Sequence, residues 1–193
     1  MERQQVIKPT INYSKVAQYL NFIQSLGVFL LMFTLMSLTL PRFLTVLNLT
    51  NLMKQLSISW IIGVGMTIAI ICGEFDISVG SILALAGVVA GLLIPKYGVV
   101  VGVAGALLIG VSVGIFNGVV TTKGRIPSFI TTLGSMMMCR SLALVITRGR
   151  VISDFPDNYR ILGQGSVFGI PYLFIITIIL YIIGYILLKR TAY

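Results

Sequence analysis

Residues 56–94 read LSISWIIGVGMTIAIICGEFDISVGSILALAGVVAGLLI. Two apolar runs, Leu56–Cys72 and Ile77–Ile94, span 17 and 18 residues and flank the break Gly73-Glu74-Phe75-Asp76. A helix needs about 20 apolar residues to cross a hydrocarbon core about 30 Å thick. Each run is therefore close to one membrane crossing, and the break between them carries two carboxylates. Apolar helices joined by short polar breaks are the pattern that sets the fold.

The pattern continues in both directions. Leu20–Leu40, Val99–Val120, Ile126–Ile146 and Ile170–Leu188 are further apolar runs. The expected fold is all-α: a polytopic membrane helix bundle of about six transmembrane helices, one domain over residues 1–193, with a basic tail over 1–19 in the cytoplasm. Leu20–Leu40 exceeds the 7–15 residues of a signal-peptide core, and no small-x-small cleavage site follows it. It reads as a retained first helix. The pair Leu56–Cys72 and Ile77–Ile94 is also compatible with one broken element.

Composition agrees. Hydrophobic residues make up 57% of the chain and charged residues 10%, against about 25% charged in soluble domains. Mean hydropathy is +1.02. The net charge of +9 does not indicate nucleic acid, because the basic residues are scattered between apolar runs rather than gathered into a stripe. Such charges orient helices in a bilayer. With the N-terminus inside, Arg3, Lys8, Lys15, Lys123, Arg125, Lys189 and Arg190 are cytoplasmic. Arg42, Lys54, Lys96, Arg148, Arg150 and Arg160 are then outside, a narrow majority for the N-in arrangement. Thr147–Gly169 is the one long connection and is polar enough to lie in water, as a connector or as a surface for a soluble partner.

Val99–Val120 carries a row of small residues: Gly98, Gly102, Ala106, Gly110, Gly114 and Gly118. At 3.6 residues per turn the row drifts about 40° per step. In lipid, close backbone approach drives helix association, so the row reads as a packing ridge, with Gly87 and Gly91 as its counterpart. Lining a pore is the alternative.

Chemistry is sparse. There is no histidine, and Cys72 and Cys139 lie in apolar runs, so no metal site or disulfide framework is expected. No nucleophile–base pair or phosphate loop is present, and neither an enzyme nor a cofactor is expected. Embedded charge is the informative feature. A centrally placed acid costs about 2.5–3.5 kcal/mol on insertion scales, so Glu74 and Asp76 need compensation or a shallower position. In one reading they form a capped turn: Gly73 ends one helix, Asp76 or Ser78 caps the next, and Ser81 lies in its first turn. In the other, short flanking helices and irregular backbone mark a discontinuous element beside a translocation path. Arg140, inside Ile126–Ile146, either snorkels to its helix end or pairs with Glu74 or Asp76. Pro127 is expected in the first turn of its helix.

Gly73-Glu74-Phe75-Asp76-Ile77-Ser78-Val79-Gly80-Ser81, followed by Ile82-Leu83-Ala84-Leu85-Ala86-Gly87, resembles the signature of bacterial monosaccharide ABC-importer permeases of the ribose, xylose and arabinose type. That signature usually reads Gly-Gly-Ile-Asp-Leu-Ser-Val-Gly-Ser, so Glu74 departs from it where the second glycine is usual. Asn117-Gly118, the stretch Ile126–Gly134, Arg140 and Phe168-Gly169-Ile170-Pro171 also fit the family's pattern.

The resemblance implies a permease subunit in the bacterial inner membrane. Its expected partners are an ABC ATPase subunit, a second permease subunit and a periplasmic or lipid-anchored sugar-binding protein, besides membrane lipid. It implies import of a monosaccharide or small polyol, with Asp76 and Ser78 as a hinge beside the pathway and Gly73 and Gly80 allowing close backbone approach. Family members continue past Lys189-Arg190-Thr191 into a cytoplasmic coupling segment, so the fold is expected to be an incomplete permease. An ion-coupled secondary transporter using Glu74 and Asp76, or a non-transporting assembly partner using the glycine ridges, are the alternatives.

Overall fold

The computed structural model describes residues 13–153, 155 and 157–190. Their contacts divide the chain into two compact units, residues 1–49 and 50–193.

The first unit holds α1 (Tyr13–Thr39) and the start of α2 (Val46–Ile71). Most of the tail expected over 1–19 lies outside the described residues, and from Tyr13 on it is already α1. Phe33 packs edge-on against Phe43 of the following turn, centroids 5.6 Å apart. Thr45 starts α2: its Oγ1 accepts from Asn48 N at 3.4 Å, while Asn48 Nδ2 donates to Phe43 O at 2.7 Å. Cap and amide together begin the helix ten residues before Leu56. The 17-residue apolar run is thus the later part of a 26-residue helix, about 39 Å long. The short-helix premise of the broken-element reading does not hold for α2.

The second unit contains the rest of α2, then α3 (Val79–Tyr97), α4 (Val99–Gly124), α5 (Ser128–Thr147), α6 (Asp157–Gln164), strands β1 (Ser166–Val167) and β2 (Ile170–Pro171), and α7 (Tyr172–Arg190). Among the described residues five helices, α2 to α5 and α7, are long and apolar enough to cross a membrane, and Ile23–Thr39 of α1 is a shorter apolar stretch. The molecule is inverted relative to a soluble protein. Its exposed residues include dozens of Leu, Ile, Val and Phe side chains, whereas Ser57, Ser78, Ser81, Asn117, Thr131, Thr132, Ser135 and Thr177 are buried. The former suit a lipid surround; of the latter, Ser78, Asn117, Thr132, Ser135 and Thr177 bond across elements, as expected where water expulsion cannot drive association.

A single residue, Gly98 (φ 89°), joins α3 to α4. This turn folds them into an antiparallel hairpin, with Gly102 against Ile94 and Ala90 O, and Gly105 against Leu93 and Val89. The third helix, α5, closes over the hairpin. Leu85, Cys139 and Ala143 form the core with Ile82, Val88, Ile109 and Val113 around it. Of the predicted glycine row, Gly102 packs on α3, but a Cβ at Gly110, Gly114 or Gly118 would meet nothing within 4 Å. The 40° drift per step explains this, since by Gly110 the row has rotated about 80° off the α3-facing side. Gly91, offered as its counterpart, lies instead under Ile152 and Phe155. Gly102→Leu is therefore expected to destabilise the helical unit by about 1–3 kcal/mol, and Gly110→Leu to stay within about 0.5 kcal/mol. Unfolding in mixed micelles would compare the two, and equal effects would contradict this packing.

Thr147–Gly169 is not a plain connector. α5 ends with Arg148 in the left-handed region (φ 52°), and Gly149 N donates to Leu144 O at 3.0 Å. The two-turn α6 follows, too short to show periodicity in the sequence. Its last carbonyl, at Gln164, accepts from Lys54 Nζ of α2 at 2.9 Å. Strands β1 and β2 then pair antiparallel, Val167 opposite Ile170, around Phe168 and Gly169 with φ of 51° and 81°, as a two-residue primed hairpin requires. α7 packs on α2: Thr177 Oγ1 reaches Ser57 O at 3.3 Å, Gly184 sits against Val64, and Phe174 meets Trp60.

Candidate functional site

The break between α2 and α3 is built from three directions. Gly73 (φ 78°) ends α2: Gly73 N donates to Ile70 O at 2.9 Å and Glu74 N to Ala69 O at 3.0 Å. This paired closure needs a left-handed residue, which glycine adopts without strain. Residues 74–78 then run without helical bonds, and α5 supplies partners for their backbone. Ser128 Oγ accepts from Phe75 N at 3.1 Å, Thr132 Oγ1 accepts from Ile77 N at 3.4 Å, and Thr132 Oγ1 donates to Phe75 O at 3.2 Å.

Asp76 turns the chain into α3. Its Oδ1 accepts from Ser78 N at 2.8 Å and from Ser78 Oγ at 2.5 Å. Ser78 occupies the N-cap position, but its hydroxyl makes no cap bond to the helix. That hydroxyl accepts from Asn117 Nδ2 of α4 at 3.2 Å, and Asn117 Oδ1 in turn accepts from Ser135 Oγ of α5. The O–H and N–H donors all point one way, from Ser135 through Asn117 and Ser78 to the carboxylate. Chains of this kind polarise each link in a low dielectric. Ser78, Asn117 and Ser135 are 0%, 6% and 1% exposed. Ser81 Oγ, bonded to Ser78 O at 2.7 Å, completes the group.

Gly73 ends α2 and Asp76 turns the chain into α3, so the break is a hydrogen-bonded turn held by α4 and α5. Of the predicted site residues, Gly73, Asp76, Ser78 and Ser81 come together here. Glu74 is exposed. Gly80 is exposed too, and a Cβ on it would meet nothing within 4 Å. Arg140 is exposed on α5 and shares no contact with Glu74 or Asp76 among the described residues. It lies eight residues beyond Thr132, about 12 Å further along the axis. Arg140→Ala is expected to change stability by less than about 0.5 kcal/mol. A loss as large as that of an Asp76 variant would restore the ion pair.

Pro127 stands one residue outside α5, at the N-cap (φ −51°, ψ 134°), where its carbonyl accepts from Ile130 N and Thr131 N. Its ψ is extended, so it starts the helix without belonging to the first turn. The residues missing from the sequence-derived site are Asn117, Ser128, Thr132 and Ser135. Asn117 is a lone amide in an apolar helix, and the other three lie on one helical face at i, i+4 and i+7. No cluster of three His, Cys, Asp or Glu that could hold a metal occurs among the described residues.

Residues 48–193 match the family model described as branched-chain amino acid transport system / permease component. The chain belongs to this permease family. Permeases named for sugars are among its relatives. The L-arabinose ABC transporter permease of Azospirillum brasilense is 37% identical over 188 residues, covering 97% of this chain and 56% of that protein. The ribose import permease of Bacillus subtilis is 36% identical over 88% of this chain and 55% of its own. The L-arabinose transport system permease of Escherichia coli K12 is 34% identical over 87% of this chain and 52% of its own. The chain spans about half the length of these curated relatives. No solved structure matches it. Permease membership and the five membrane-length helices among the described residues make it a multi-pass inner-membrane protein.

Proposed function

We propose that this chain is part of the permease of an ATP-driven importer of a monosaccharide or related small polyol, and that the α2–α3 break borders its translocation path. The observation that carries the reading is the similarity to arabinose and ribose permeases at 34–37% identity, continuous over most of the chain. Site chemistry supports a sugar over the amino acid of the family's description. An amino acid brings a carboxylate that calls for a cation. The side chains gathered at the break are a carboxylate, an amide and hydroxyls, with no Lys or Arg among them.

Its partners are a separate ATPase subunit on the cytoplasmic side, a second permease subunit, and a binding protein that delivers sugar from outside. The N-in arrangement places Glu74, Lys123 and Arg125 on the ATPase side. Asp76 and Ser78 form the hinge about which α3 moves as access alternates. The test is reconstitution with a sugar-importer ATPase and binding protein, reading ATP-dependent uptake of a labelled pentose. Uptake driven by an H⁺ or Na⁺ gradient without ATP would replace this reading with an ion-coupled carrier. Co-purification with a permease but no uptake would make the chain an assembly partner.

A further inference from the structure

A cavity of about 380 Å³ lies beside the break, lined from α2 by Ile61, Met66 and Ala69 and from the other side by Val79 and one charged group, Asp76. Its size falls in the range of about 300–1,000 Å³ typical of small-molecule pockets. The hydrogen bonds on Asp76 are one-sided: Oδ1 takes both bonds from Ser78, and Oδ2 accepts none among the described residues. We infer that this cavity binds a neutral polyhydroxy ligand, one of whose hydroxyls donates to Asp76 Oδ2. The inference rests on the sugar-permease reading and assigns it a contact.

An ionised carboxylate only accepts hydrogen bonds, so the occupant must bring a donor or a positive charge. A hard cation needs six or more oxygen ligands, and Asp76 alone contributes a side-chain oxygen to the lining. An organic ammonium would strip a full charge of water against apolar walls, with a single counter-charge to offset it. A hydroxyl asks least of the site: one charge-assisted hydrogen bond at Oδ2, with the C–H faces of the ligand against Ile61 and Met66. The relay from Ser135 fixes the carboxylate plane, so Oδ2 is held in place before the ligand arrives.

Asp76→Asn isolates this contact. The amide keeps an oxygen for Ser78 and replaces the cavity oxygen with a donor. Binding of tritiated ribose and arabinose to the full chain in lipid nanodiscs is expected to weaken about tenfold or more in this variant, with its thermal stability retained. Ala69→Phe, which fills the cavity while keeping the Asp76 carboxylate and its bonds to Ser78, is expected to do the same, and it decides the matter alone if Asp76→Asn unfolds. Wild-type pentose binding that survives both changes would overturn the inference and leave the sugar reading standing. Failure of the wild-type chain to bind any pentose would overturn both. Pentose affinity unchanged in Asp76→Asn, with a Na⁺ dependence lost, would make Asp76 a cation ligand and overturn the inference.

Discussion

Asp76→Ala is expected to lower the stability of the helical unit by about 2–4 kcal/mol and to reduce transport by the assembled permease at least tenfold. The magnitude follows from what the substitution leaves behind. Ser78 is fully buried, and its N–H and O–H both lose their acceptor. Hydrogen bonds to a charged group contribute about 1.5–3 kcal/mol, and an unsatisfied buried donor costs about 1–3 kcal/mol. Asp76→Asn keeps the acceptor and is expected to cost less than about 1 kcal/mol. Chemical unfolding in micelles would rank the two variants. Normal transport by Asp76→Ala would remove the hinge, whatever the stability result.

Asn117→Leu carries the second large effect, a loss of about 1–3 kcal/mol. Leucine matches asparagine in branching but is bulkier, and it severs the donor to Ser78 and the acceptor for Ser135. Hydrogen bonds between helices in lipid average about 0.6 kcal/mol, with a maximum near 1.7 kcal/mol, so two lost bonds and two buried hydroxyls fall in this range. A double-mutant cycle with Ser135→Ala measures the link itself. Strict additivity of the two losses would show that the relay has no energy beyond its separate bonds. Because the relay ends on Asp76, Asn117→Leu should also weaken any function that depends on where that carboxylate is held.

The membrane bundle was legible in the sequence because lipid imposes one dominant rule, a long apolar run per crossing. The helix starts were not. Asn48, Asn51, Lys54 and Gln55 depress hydropathy at the beginning of α2 without opposing helix formation, and Thr45 was an unread capping signal. At the site, Asp76, Ser78 and Ser81 could be read from capping rules, which are local. Asn117 lies 39 residues from Ser78, Ser135 lies 18 from Asn117, and Thr132 lies 57 from Phe75. Those meetings depend on how α4 and α5 fold back, and no local rule reports them. The same geometry explains Arg140. With Ser135 and Cys139 facing inward, the next residue sits about 100° around the helix, away from Glu74 and Asp76.

The one-residue turn at Gly98 gives the break a mechanical meaning. With Gly102 seated against Ile94 and Ala90, α3 and α4 are braced against sliding at that end, and about the proposed hinge they would move as a single rod. α3 is 19 residues long, a lever arm of about 28 Å. A tilt of about 10° at Ser78 would carry the Gly98 tip through about 5 Å. Breaking or remaking one buried hydrogen bond at the base is thereby amplified into a displacement wider than a water molecule at the opposite face of the membrane.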